Sequence, residues 1–187
     1  YFAPNYRAEA RLKMYGIKAQ NLFVTGFPLP DKLVGGKKEK AVKKNLGKRL
    51  FRLDPKKVYI KRYHESICKH IDKCNAPKAA KQPLTLTFAV GGAGAQRELG
   101  IEIVTSLKQK IEQHEIRVNL IAGTHNDVNK YFRKEIAALG LNRELGKYIS
   151  VIYEKKKKDY FLAFDKALMQ TDILWTKPSE LSFYTPL

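Results

Sequence analysis

Apolar positions change their rhythm near residue 83 of this chain. Beyond it, short apolar runs alternate with stripes at helical spacing. "LTLTFAV" (84–90) precedes Leu99, Ile103, Leu107 and Ile111. "RVNLIAG" (117–123) precedes Val128, Phe132, Ile136 and Leu139. "ISVIYE" (149–154) precedes "DYFLAFDKALMQ", and "DILWTK" (172–177) follows. Strands alternating with helices over short connections predict an α/β domain: a Rossmann-like parallel sheet with flanking helices, built from right-handed βαβ units. Trp175 falls within the last strand and is expected in the core.

The first part reads less regularly. Residues 5–15 predict a short helix stopped at Gly16. "NLFVTGFPLP" (21–30) predicts a buried strand that runs into Pro28 and Pro30, which cannot continue a ladder. Val42, Leu46, Leu50 and Leu53 predict a helix within 37–53, with Lys and Arg on its other faces. A short strand is expected at 57–61, then a helix, then a Pro/Ala/Lys connector at 76–83. The chain thus divides into a basic segment, 1–83, and a regular part, 84–187.

Composition sharpens this division. At 44% hydrophobic and 11% aromatic, 187 residues can bury a core, which argues against wholesale disorder. No apolar run approaches the roughly 20 residues of a membrane span, and the start lacks a signal-peptide layout. Two cysteines, Cys68 and Cys74, exclude a disulfide framework as the organising principle and make a reducing, cytoplasmic setting the expectation. The net charge is +18, and residues 1–83 carry 21 Lys and Arg against 6 Asp and Glu, so binding to an anionic surface is expected there. Tyr1 in place of Met, and the abrupt end at Leu187, read as a piece of a longer protein.

"TFAVGGAGAQRELG" (87–100) is the first candidate for chemistry. Glycines between a strand and a helix permit positive φ and close approach of a ligand, and the new helix offers unpaired N–H groups to an anion. The stretch is neither a dinucleotide fingerprint, because Arg97 stands where Gly or Ala is required, nor a P-loop, because no G-K-[ST] follows.

In order along the chain, "VTGFPLP", "FAVGGAGAQ", "IAGTHNDV" and "DILWTKPSELS" resemble the carboxyl-terminal, donor-binding domain of GT-B glycosyltransferases. The branch they resemble most holds monogalactosyldiacylglycerol synthase and the lipid II-forming N-acetylglucosaminyltransferase. The resemblance implies a UDP-type nucleotide sugar as donor and a lipid as acceptor, at the inner face of a membrane. It implies that Gly91, Gly92, Ala93, Gly94, Ala95 and Gln96 surround the donor phosphates, with Gly123 and Asn126 at the neighbouring strand's edge. Ile152 and Tyr153 would lie near the nucleobase, and Thr176, Lys177, Ser179, Glu180 and Ser182 would line the last loop. No cofactor or metal is implied. The chain departs from the pattern at Ser179-Glu180, where the family has Gly-Gly, and at Thr185, where it has a ribose-binding Glu. The amino-terminal acceptor domain, which usually carries the base, has no counterpart here, so no catalytic residue is assigned and this stretch alone is expected to be inactive.

Other constellations have plainer readings. In "HESICKHIDKC", His64 and Cys68 share one helix face while His70 and Cys74 share a nearly opposite one, so one helix cannot gather all four round zinc, and packing with free thiols is expected. The run Lys155–Lys158 is a solvated loop or places positive charge at the sheet's ligand edge. Residues 37–62 carry twelve basic and two acidic residues, a charged outer face or a patch for anionic membrane. Sparse aromatics there make nucleic acid the weaker partner. A sugar-nucleotide epimerase is the rival within the fold, lacking a recognisable catalytic set; a non-catalytic basic module that binds an anionic surface is the rival outside it.

Overall fold

The computed structural model describes residues 1–71, 82–89, 96–177 and 180–185. At its centre is a four-stranded, all-parallel sheet. In chain order the elements are β1 (Phe2–Ala3), α1 (Tyr6–Met14), β2 (Phe23–Val24), α2 (Asp31–Val34), α3 (Lys40–Leu53), α4 (Val58–Arg62), α5 (His64–His70), β3 (Leu84–Ala89), α6 (Arg97–Ser106), α7 (Lys108–Glu112), β4 (Ile116–Gly123), α8 (Asn126–Ala138), β5 (Ile149–Tyr153), α9 (Lys157–Leu168) and β6 (Ile173–Thr176). A 3₁₀ turn, Glu180–Tyr184, follows. The fold is the expected α/β, Rossmann-like one.

The strand order is β5-β4-β3-β6. The chain steps outward twice from β3, to β4 and β5, then returns past its start to add β6 on the other side. Right-handed crossovers require such a reversal to put the last helix on the opposite face. The cores obey this. Ile103, Val104 and Ile111 of α6–α7 and Val128, Phe132 and Ile136 of α8 pack on Leu86, Phe88, Val118 and Leu120. Phe164 and Leu168 of α9 pack with Leu33 on Ala89 and Ile121 of the other face. That second face also carries Thr85, Thr87 and Asn119, all buried.

The basic helix α3 lies against the amino edge of the sheet, beside α9. Arg49 donates from Nε to Thr171 O (2.6 Å) and from Nη2 to Leu168 O (3.0 Å). Arg52 Nη2 bonds Pro83 O and lies 2.9 Å from Asp172 Oδ2, which also accepts the Thr85 N–H at 2.8 Å. Burial pulls the Arg49 guanidinium below its ordinary value, aided by Arg52 and opposed by Asp172. Two arginines of the basic segment thus hold the fold together.

Four expectations are corrected. The strand of 21–30 is only β2, pairs with β1 in a separate two-stranded parallel sheet and exposes Phe23 and Val24; Gly26 at φ +79° and the two prolines end it. Residues 58–62 are helical, because Asp54 accepts the Val58 and Ile60 N–H groups at 3.0 and 2.8 Å and so nucleates α4. Trp175 is 52% exposed, since β6 is an edge strand whose outer part no described helix covers. Cys68 is disulfide-bonded, with its sulfur 3.6 Å from His64 Nε2; Cys74 lies outside the described residues. Among the described residues no helix is long and apolar enough to cross a membrane.

Candidate functional site

In a doubly wound sheet ligands bind at the carboxyl edge, where the strand order reverses. Here that is the junction of β3 and β6. Their last residues, Ala89 and Thr176, are register partners. In sequence the glycine stretch follows Ala89 and Lys177 follows Thr176. Gly91, Gly92, Ala93, Gly94 and Ala95 lie outside the described residues, as does Ser179. Gln96, which closes the stretch, holds φ +67° at the N-cap of α6, a left-handed conformation costly for a side-chain-bearing residue.

Arg97 opens α6 at the same edge. Its guanidinium sits 4.6 Å from the centre of the Tyr131 ring and 3.2 Å from Asp127 Oδ2. Those contacts tie the start of α6 to α8 and hold a cation next to the glycine stretch. In the sequence Arg97 only breaks a dinucleotide fingerprint; its position follows from the packing of α6 on α8.

One strand over, Gly123 and Tyr153 are register partners after an irregularity between Ile121 and Gly123, and Gly123 O accepts the Glu154 N–H at 3.1 Å. Gly123 takes φ +64° to turn from β4 into α8. Asn126 is exposed at the first turn of α8, and Tyr153 packs towards the α8 face. Thr176 Oγ1 donates to Lys177 O (3.3 Å), Lys177 is exposed, and Ser182 O accepts from Thr185 Oγ1 at 2.7 Å. Glu180 begins the 3₁₀ turn. The edge thus pairs two candidates, Gly123 and Tyr153, and pairs a third, Thr176, with Ala89.

Beside this edge, on the α9 face, lies a cavity of about 900 Å³. Its walls come from the Phe27–Pro30 segment, the carboxyl end of β4, α9 and the 3₁₀ turn, and are dominated by Phe27, Tyr160, Phe161, Phe164 and Tyr184. Phe27 stacks on Phe183 at 4.2 Å, and Tyr184 stands edge-on to Phe164 at 5.5 Å. His125, at the N-cap of α8, and Lys157, the first residue of α9, also line it, and neither helix start carries a side-chain cap. Asp165 is buried in the wall with Oδ2 2.7 Å from Lys32 Nζ; its Oδ1 has no hydrogen-bond partner among the described residues. Of the described candidate positions, Gly123 lines this cavity, while Gln96, Asn126, Tyr153, Thr176, Lys177 and Ser182 lie outside its lining. The PxP turn and the aromatic spacing of α9 were visible in the sequence, but not that they face each other.

Sheet and reversal define a doubly wound α/β domain. Compared with known proteins, residues 61–152 match the model of a domain of unknown function, DUF6938, a span from the end of α4 to β5. No curated protein and no solved structure matches the chain.

Proposed function

We infer that the carboxyl edge binds a UDP-type nucleotide sugar and that the domain is the donor half of a glycosyltransferase with a lipid acceptor, working at the inner face of a membrane. One observation supports this: the register pairing of Ala89 with Thr176, which sets side by side the strand ends that belong to "FAVGGAGAQ" and "TKPSELS", the stretches whose resemblance implies donor binding. A diphosphate leaving group needs its developing charge stabilised. The start of α6 supplies N–H groups, and Arg97 and Lys177 supply cations. In the transfer, the acceptor oxygen bonds to the anomeric carbon as the bond to the diphosphate breaks; the electron pair leaves with the diphosphate, and the hydroxyl proton goes to a base. No described residue is assigned as that base. Calorimetric titration with UDP tests the reading: binding that disappears in Gly92→Asp supports it, and no heat even at millimolar UDP overturns it.

A second reading, a basic module docking on anionic membrane, draws on the exposed Tyr1, Phe2, Tyr6 and Tyr15 beside Arg7, Arg11 and Lys13 of the α1 unit. Salt-sensitive co-sedimentation with phosphatidylserine vesicles, undiminished in Gly92→Asp, supports it; absence of vesicle binding at low salt removes it.

A further inference from the structure

We propose that the α9-face cavity binds a single-chain amphiphile, its hydrocarbon chain inside and its anionic head at the Lys157 mouth. This goes beyond the donor reading and does not depend on it.

The interior fits a chain. The walls are largely aromatic and aliphatic, and at about 900 Å³ the cavity is at the upper end of what encloses a drug-sized molecule. Asp165 would repel an anion and desolvate poorly beside a chain, but Lys32 lies 2.7 Å away and neutralises it. The sugar and base of a nucleotide would need several polar partners inside, and these walls offer few.

The mouth fits an anion. Lys157 lines the cavity and is itself exposed to solvent, and Lys155, Lys156 and Lys158 stand exposed around the start of α9. The amino ends of α8 and α9 both reach the cavity through His125 and Lys157, adding partial positive charge. Phe161, in the wall, is 53% exposed, and Leu162 beside it on α9 is equally so; an incoming chain would cover Phe161. The lysine run thus gains a role: it selects the head, while the aromatic walls take the tail.

Titration with dodecyl phosphate below its micellar concentration tests this, with dodecyl maltoside and inorganic phosphate as parallel probes. Dodecyl phosphate should bind, dodecyl maltoside about tenfold more weakly, and inorganic phosphate not detectably. Phe161→Asp and Lys157→Glu alter exposed side chains and leave the fold intact by circular dichroism; each should weaken dodecyl phosphate binding about tenfold or more. UDP should not displace the probe. The proposal is overturned if dodecyl phosphate does not bind or if both variants bind it like the parent. It is equally overturned if the maltoside binds as tightly, if phosphate alone binds as well, or if UDP competes. Because UDP binding is read separately, failure here leaves the donor reading standing, and the reverse also holds.

Discussion

Thr87 Oγ1 and Thr171 Oγ1 meet at 2.6 Å inside the second face of the sheet. The contact is the middle of a directed chain: Asn119 Nδ2 donates to Thr87 Oγ1 (3.0 Å), Thr87 to Thr171, and Thr171 Oγ1 to Ala167 O (2.8 Å). Every hydroxyl gives once and receives once, so β4, β3 and the end of α9 are tied together without an orphan group. Thr87→Val keeps the shape but takes the acceptor from Asn119 Nδ2 and the donor from Thr171 Oγ1, which keeps its bond to Ala167 O; urea unfolding should show a loss of about 2 kcal/mol. Thr87→Ser should recover most of it.

At the amino edge, Asp172 supplies a pH test. Burial raises its carboxyl above the ordinary 3.8, opposed by the Thr85 N–H, Arg52 and Arg49. A folded value above the unfolded one means that the folded chain holds the proton more tightly. The contribution is therefore full below 3.8 and is lost as pH rises through the raised value. The stability of the parent relative to Asp172→Asn should fall over that climb, measured by urea unfolding at a series of pH values. Arg52→Ala, which removes an opposing cation, should extend the fall to higher pH; a parent that gains on the variant would show that ion pairing outweighs burial.

Arg97 tests the proposed donor site at the carboxyl edge. Removing its guanidinium in Arg97→Ala should weaken UDP binding about tenfold, the scale of one charge-assisted hydrogen bond. Unfolding midpoints should barely move, because its ion pairs with Glu98 and Asp127 are largely solvated. Equal UDP affinity in parent and variant would remove Arg97 from the site.

Trp175, the single tryptophan, reports on the β6 edge. At 52% exposed, it should be quenched by acrylamide in the folded protein to an extent approaching that of the urea-unfolded chain. Trp175→Ala should cost less than about 2 kcal/mol, against about 3–5 kcal/mol for a buried tryptophan.

How far the sequence could be read follows from where each signal is written. The α8 stripe was legible because Val128, Phe132 and Ile136 advertise their own burial. On α6 the apolar stripe pointed to Leu99, which is half-exposed, whereas the neighbouring Gly100 faces the sheet; a Cβ there would come within 3.0 Å of Phe88 and Phe132. Glycine carries no hydropathic mark, so a close approach leaves no trace in the pattern. β6 was legible as a strand, but exposure at Trp175 depends on what covers the strand's face, which no local window encodes. Lys32 and Asp165 meet only because the strand order reverses and sends α9 to the far face. The end of β3 was legible as a junction, and the pairing of Ala89 with Thr176 at the end of β6 required the topology.

The seat of Arg49 has a further meaning for α9. A helix is a small battery, and Arg49 is wired to its negative terminal through the Leu168 carbonyl and the Thr171 carbonyl just beyond. With that end grounded inside the protein, the positive pole beside the cavity is offset within the first turn only by Asp159. Part of the first segment's positive charge therefore acts at a distance: half-buried at one end of α9, it offsets the helix's negative pole and leaves the positive one at the other.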